Sequence, residues 1–433
     1  MKFIRIFEPP ITGGFFIPNN FGFTTMLFKE VIGQQAVKQH LVEMVQQNRI
    51  SHALLFLGKE GSGTLPLAMA FANYVSLLPT TLNASAQNEA ALFGEPVEVK
   101  LPATADEADA WMQKQASFTK AAAMVHPDIH YAYPVVTKKA GSPPLSTDYV
   151  TEWREFIQQY PYGNVYDWLQ AIGAENKQGN ITAQECNDIL RKLNLKSFEN
   201  GYKTLVLWMP EYLGKEGNKL LKLIEEPPAD TLFILVAENE NAILNTILSR
   251  CQLVKIPALQ PEDIQQALET KAKLSEDQAK LIANASEGNY REALQLLQHA
   301  DEDYFHLLRE WLNAILRTGP AAQVKVIEEI ARLGRENQKQ FLRYFIHLLE
   351  QALRLEITSG SLQETLLSGM SAGERDFALK LNKQIRIEQK EAIAEELDKA
   401  SYYIERNANA KILFHALTIK LFYIVKNEMV LSV

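Results

Sequence analysis

The chain has 433 residues, room for about three domains at roughly 150 residues each. Lys plus Arg number 44 and Asp plus Glu 52, a formal charge of −8, which argues against a protein that coats DNA by bulk charge but leaves room for a local basic face. Apolar residues at 47% exclude wholesale disorder, and the two cysteines, Cys186 and Cys251, exclude a disulfide framework or a four-cysteine zinc site and fit reduced thiols in a cytoplasmic protein.

Residues 1–25 are Phe-rich and aperiodic, punctuated by Glu8-Pro9-Pro10, Gly13-Gly14 and Pro18-Asn19-Asn20. Pattern begins at Met26, so the expectation is that Met26 is the biological start, or that residues 1–25 form a floppy arm. They lack the order of a secretory leader. Residues 34–47 carry apolar side chains at helical spacing. His52-Ala-Leu-Leu-Phe-Leu57 reads as a buried parallel strand, Gly58-Lys-Glu-Gly61-Ser-Gly63 as a Gly-rich turn, and 65–78 as a helix.

Residues 79–125 have weak periodicity. A strand is predicted at 129–136, a helix at Thr147–Gln159, and a helix at Thr182–Leu193 opened by a capping box of Thr182 with Glu185. Counting His52–Leu57 as the first buried strand, a second follows at Thr204–Met209 and a third at Thr231–Ala237, with a helix at Gly217–Glu226 between them, stopped by Pro227-Pro228, and a fourth at Leu253–Ile256. Strands alternating with helices make a parallel α/β sheet. After the linker Pro257–Pro261 every periodic segment is helical: 261–272, 275–286, 289–299, 303–317, 320–334, 336–357, 371–384, 386–406 and 409–426. The longest apolar run, Ile412–Val425, is broken by His415 and Lys420 and is too short and polar to span a bilayer.

The turn after the first strand sits where a phosphate-binding loop would. Such a loop needs Gly, four residues, Gly, then a Lys for the outer phosphates and a Ser or Thr hydroxyl for Mg²⁺. Gly58 and Gly63 keep the spacing, but the next two positions are Thr64 and Leu65. Gly58, Gly61, Gly63 and Thr64 are therefore candidate nucleotide contacts whose chemistry is degraded; backbone binding alone stays open. A P-loop ATPase also ends its second core strand in acidic residues that serve metal and water. Here Trp208 and Met209 occupy that place, and Glu211 lies beyond Pro210. A rival reading keeps an active ATPase by enlisting Lys59.

Ser249-Arg250-Cys251 follows the third of these strands. A lone Arg at an element boundary is ordinarily a surface cation. Beside a dead phosphate site, it becomes a candidate for donation to a neighbour's live one, where an Arg supplied in trans is worth roughly 10³ to 10⁵ in rate.

Four segments in order, Phe28–Val37, Ile50–Gly58, Asn218–Pro228 with its Glu-Glu-Pro-Pro, and Ile247–Gln252 with Ser-Arg-Cys, resemble the AAA+ clamp-loader subunits of bacterial DNA polymerase III. The resemblance runs from about Phe28 to Leu297, through Gly288-Asn-Tyr-Arg291, with a looser match at Asn407–Phe414. Within that family the branch with a degraded P-loop and an intact Ser-Arg-Cys is delta-prime. The resemblance implies a RecA-like α/β domain at 26–256, a helical lid at 257–300 and a helical collar at 301–433 that holds an oligomer together. It implies gamma/tau and delta subunits as partners, with the sliding clamp and primed DNA reached through the complex. Arg250 becomes a finger for the adjacent subunit's ATP, positioned by Ser249 and Cys251. Arg291 falls at the family's lid arginine, with a plain salt-bridging role as the alternative. Many family members carry a zinc module after the P-loop helix; residues 80–125 have no cysteine, so no zinc and no resident cofactor is expected. A third reading makes the chain a pure assembly scaffold.

Other features read blandly. His126 and His130, taken on one strand, are about 13 Å apart, too far for one ion. His52 opens its strand as a packing or capping residue. Tyr160, Tyr162, Tyr166 and Trp168 have few basic neighbours and read as packing rather than base stacking. The closing helices are amphipathic, and 386–406 is largely acidic, which suits helix packing better than a membrane surface.

Overall fold

The computed structural model describes residues 25–78, 101–138, 141–174, 177–199, 201–298, 304–357, 372–406 and 408–426. The expectation for 1–25 thus lies outside the described residues except at Thr25, and so does that for 79–100. The chain divides after Leu297 into two units.

The first unit is built on five parallel strands: β1 (Ala53–Gly58), β2 (Ile129–Ala132), β3 (Lys203–Trp208), β4 (Thr231–Ala237) and β5 (Gln252–Ile256). Their order is β2-β3-β4-β1-β5. Successive side chains on a strand point to opposite faces. Leu54, Phe56, Val206, Trp208, Leu232, Ile234 and Val236 accordingly enter one core, while Ala53, Leu55, Leu205, Leu207, Phe233, Leu235 and Ala237 enter a second. Burial on both faces explains why β1, β3 and β4 read as unbroken apolar runs. The edge strand β5 is exposed at Gln252, Leu253 and Lys255. This is the RecA-like α/β architecture expected from the sequence, followed by a helical region. In the second unit Trp311, Phe341, Phe345, Leu397 and Phe414 belong to a separate core. Among the described residues no helix is long and apolar enough to cross a membrane.

Several elements differ from their predicted form. β2 ends at Ala132, because Pro134 has no N–H to give a ladder; Val135 instead makes an isolated antiparallel bridge to Asn180. The helix expected at Gly217–Glu226 is α-helical only over Leu221–Glu225. Residues Pro210–Leu220 before it are 3₁₀, broken at Gly214, whose φ of 50° and ψ of −136° are not helical. A helix at Val165–Ala171 was not anticipated. The helices at 261–272 and 303–317 finish in π turns, Leu268–Ala272 and Ala314–Thr318.

Candidate functional site

The loop after β1 has the backbone of a phosphate site. Gly61 and Gly63 have φ of +72° and +89°, the left-handed region that glycine enters without a Cβ clash. A Cβ on Gly61 would lie 1.7 Å from Asn289 Oδ1, and one on Gly58 would lie 2.4 Å from Thr64 Oγ1. The loop then opens the helix Thr64–Ser76, every residue of which is buried.

The side chains that phosphate chemistry requires are missing. Thr64 Oγ1 hydrogen-bonds Ser62 Oγ at 2.9 Å, and Leu65 is buried in the core. Lys59 is exposed at the mouth of a cleft that Tyr162, Trp208, Met209 and Glu238 also line. Trp208 packs its ring 5.2 Å from that of Trp153, so an indole fills the place of a metal-directed carboxylate. Glu211 turns away to the loop after β4, where Oε1 accepts from the N–H groups of Glu238 (2.7 Å) and Asn239 (2.9 Å). Burial pushes its carboxyl above the usual range.

The segment around Asn289–Arg291, expected from the sequence to be part of a lid, lies directly on this loop. The Tyr290 N–H donates to the Gly61 carbonyl at 3.1 Å. Arg291, only 2% exposed, forks onto Asp167 through Nε (2.6 Å) and Nη2 (2.7 Å), and its Nη1 donates to Glu60 Oε1 at 3.1 Å. Glu60 Oε2 accepts from Asn164 Nδ2 at 2.9 Å. Asn164 and Asp167 cap each other's N–H groups across the start of the helix Val165–Ala171. The expected lid arginine is thus beside the loop, but its guanidinium is committed to two carboxylates of the same chain, one of them inside the loop itself. An incoming phosphate would have to displace a buried bidentate pair.

Arg250 lies elsewhere. Ser249, Arg250 and Cys251 join the short helix Asn245–Leu248 to the amino end of β5. The register pairs Leu54 with Gln252 and Gly58 with Ile256, so the loop and Arg250 are at opposite ends of the sheet. The four steps of β5 alone span about 13 Å at ~3.3 Å each. Arg250 Nη1 donates to the Thr246 carbonyl (2.7 Å) and to Ser249 Oγ (3.2 Å), and Nη2 is 2.6 Å from Glu225 Oε1. Ser249 Oγ therefore touches the Arg250 guanidinium. The thiol of Cys251 packs against the second core of the sheet, and burial pushes it up to about 11.

Sequence reasoning missed Glu60, Asn164, Asp167 and Glu225. Two of them were in view: Glu60 lies inside the Gly-rich turn and Glu225 opens the Glu-Glu-Pro-Pro run. The histidine pair does not share a strand, because β2 starts only at Ile129. His126 is buried in the preceding turn, where its Nδ1 accepts from the Asp128 N–H at 3.2 Å. Burial and nearby Lys192 push His130 down to about 4. Among the described residues no group of three or more His, Cys, Asp or Glu is placed to hold a metal. Tyr162 and Trp168 are core residues, the indole of Trp168 donating to the Pro134 carbonyl at 2.7 Å.

The family model described as "DNA polymerase III, delta subunit" matches residues 105–260. The chain is 25% identical to the DNA polymerase III subunit delta' of Bacillus subtilis over 263 residues, 61% of this chain and 59% of that one. It is 23% identical to the subunit tau of the same organism, over 76% of this chain and 47% of tau. It is 32% identical to the subunit gamma of Buchnera aphidicola subsp. Schizaphis graminum, over 36% of this chain and 42% of gamma. The chain thus spans about half the length of the curated relatives it matches. The sheet, the loop and these matches point the same way: the chain is similar to the DNA polymerase III clamp-loader subunits.

Proposed function

We propose that this chain is the delta-prime type of clamp-loader subunit. It hydrolyses no ATP itself and supports the ATP-driven loading of a sliding clamp on primed DNA by lending Arg250 to the ATP site of an adjacent gamma/tau subunit. The observation that carries the reading is the separation of Arg250 from its own loop by the length of β5. An arginine so placed cannot serve the chain's own phosphate site, and that site lacks both the lysine and the metal hydroxyl. Residues 26–256, 257–300 and 301–433 act in this scheme as the RecA-like domain, the lid and the collar. The collar binds the gamma/tau and delta partners in the cytoplasm, and no zinc or other resident cofactor takes part.

The test is reconstitution with the gamma/tau and delta subunits of the same genome, followed by clamp- and DNA-stimulated ATP turnover. Arg250→Ala is expected to cut turnover at the site it serves by roughly 10³-fold while the complex still assembles. Unchanged turnover in an intact complex sinks the finger and leaves a scaffold. ATP turnover by the isolated chain, lost in Lys59→Ala, would favour the motor reading instead.

A further inference from the structure

We propose that Glu225 is a positioning residue for Arg250, setting the guanidinium for a phosphoryl group presented in trans. The inference rests on the finger reading of Arg250 and deepens it. A long arginine on a surface samples many rotamers, and a finger that has to order itself at the moment of reaction loses part of its effect to that entropy.

The structure shows three grips on this one side chain. The Thr246 carbonyl and Ser249 Oγ take the two N–H groups of Nη1, and the Glu225 carboxylate is 2.6 Å from Nη2. Nε has no partner among the described residues, so its N–H is left for an incoming oxygen. The grips come from two separate elements. Thr246 and Ser249 belong to the segment just before β5, whereas Glu225 is the last residue of the helix Leu221–Glu225. That helix is stopped by Pro227-Pro228, which fixes where Glu225 falls. Both partners are part-exposed, Arg250 at 35% and Glu225 at 44% of the side chain, so their pairing adds little to fold stability. The pair stands on the surface and orders a side chain that the fold does not otherwise need held.

The experiment uses the reconstituted complex and reads kcat and KM for ATP separately. Glu225→Ala is expected to lower kcat about tenfold with KM unchanged, since it removes orientation but not substrate binding. Glu225→Gln keeps the length and an acceptor oxygen and is expected to stay within about threefold of wild type. The double variant Glu225→Ala/Arg250→Ala is expected to match Arg250→Ala alone, because Glu225 acts only through Arg250. If Arg250→Ala lowers kcat and Glu225→Ala does not, the positioning role is overturned and the finger stands. If Glu225→Ala worsens the double variant, it acts by another route and the proposal is equally overturned. If Arg250→Ala has no effect, the finger reading fails and takes this one with it. Should the Ala variant fail to assemble, Glu225→Lys replaces it, with the same loss of kcat expected from a repelled guanidinium and an unchanged kcat overturning the role.

Discussion

Arg291 decides the state of the phosphate loop more than any glycine in it. Its charge is buried and paired with Asp167 and Glu60, so this guanidinium is already committed beside the loop. Removing one member of a buried pair leaves the other charge uncompensated, at a cost of about 3–5 kcal/mol. Arg291→Ala is therefore expected to destabilise the first unit by that amount in urea unfolding. Trp111, Trp153, Trp168 and Trp208 report on that unit by fluorescence, while Trp311 lies in the other. A loss below about 1 kcal/mol would show that solvent already relieves the pair. The sequence placed Arg291 at the family's lid arginine and offered a salt bridge as the alternative. What it could not supply was the partner. Asp167 and Glu60 are 124 and 231 residues away along the chain, and no local pattern links positions so far apart. That Thr64 and Leu65 follow Gly63, where a phosphate-binding loop would carry Lys and Ser or Thr, was legible because it is a matter of residue identity at fixed spacing.

Single elements were legible in proportion to how completely packing dictates them. The strands β1, β3 and β4 are buried on both faces, and their apolar runs gave their positions to within a residue or so. The helix expected at Gly217–Glu226 was harder, and it continues a 3₁₀ stretch that begins at Pro210. The backbone is 3₁₀ from Pro210, with a non-helical Gly214, and becomes α-helical only at Leu221. The helix Ala183–Leu193 shows a subtler difference. Thr182 Oγ1 does accept from the Glu185 N–H at 3.2 Å, as a capping box requires. The Glu185 carboxylate does not reach back; it is buried and accepts from the Ser146 N–H (2.7 Å) and Oγ (2.5 Å). A distant loop outcompetes the local reciprocal bond, and the box becomes a tether between two elements. Thr182→Ala is then expected to cost about 1 kcal/mol, the usual price of an N-cap. Glu185→Ala is expected to cost more, about 1–3 kcal/mol, because it leaves buried donors on Ser146 unsatisfied. Chemical unfolding of the two variants checks the order; a larger loss for Thr182→Ala would restore the simple capping box.

At the scale of the whole molecule, the two units carry separate cores, and the proposed roles separate in the same way. The loop, Arg291 and Arg250 all belong to the unit that ends at Leu297. In the other unit the closing helix Ala410–Val425 buries Phe414, Leu417 and Leu421, yet leaves Ile412 70% and Ile419 56% exposed, with Tyr423 on the same stripe. Positions i, i+7 and i+11 share one helix face, and an uncovered apolar stripe of this kind is costly in water. If the collar holds the complex together, a chain cut to residues 1–297 retains its own sheet and both of that unit's cores but fails to enter the complex. Residues 298–433 alone enter it without restoring ATP turnover, because they bring no finger. Co-elution with the gamma/tau and delta subunits on gel filtration, with far-UV circular dichroism to show that each piece is folded, tests both halves. Assembly by the 1–297 piece would move the binding surface onto the α/β unit. Full turnover with the 298–433 piece would remove the need for Arg250 altogether. The scaffold and finger readings give the same result for the intact chain and part only here and at Arg250→Ala, so the two experiments together assign assembly and catalysis to different ends of one polypeptide.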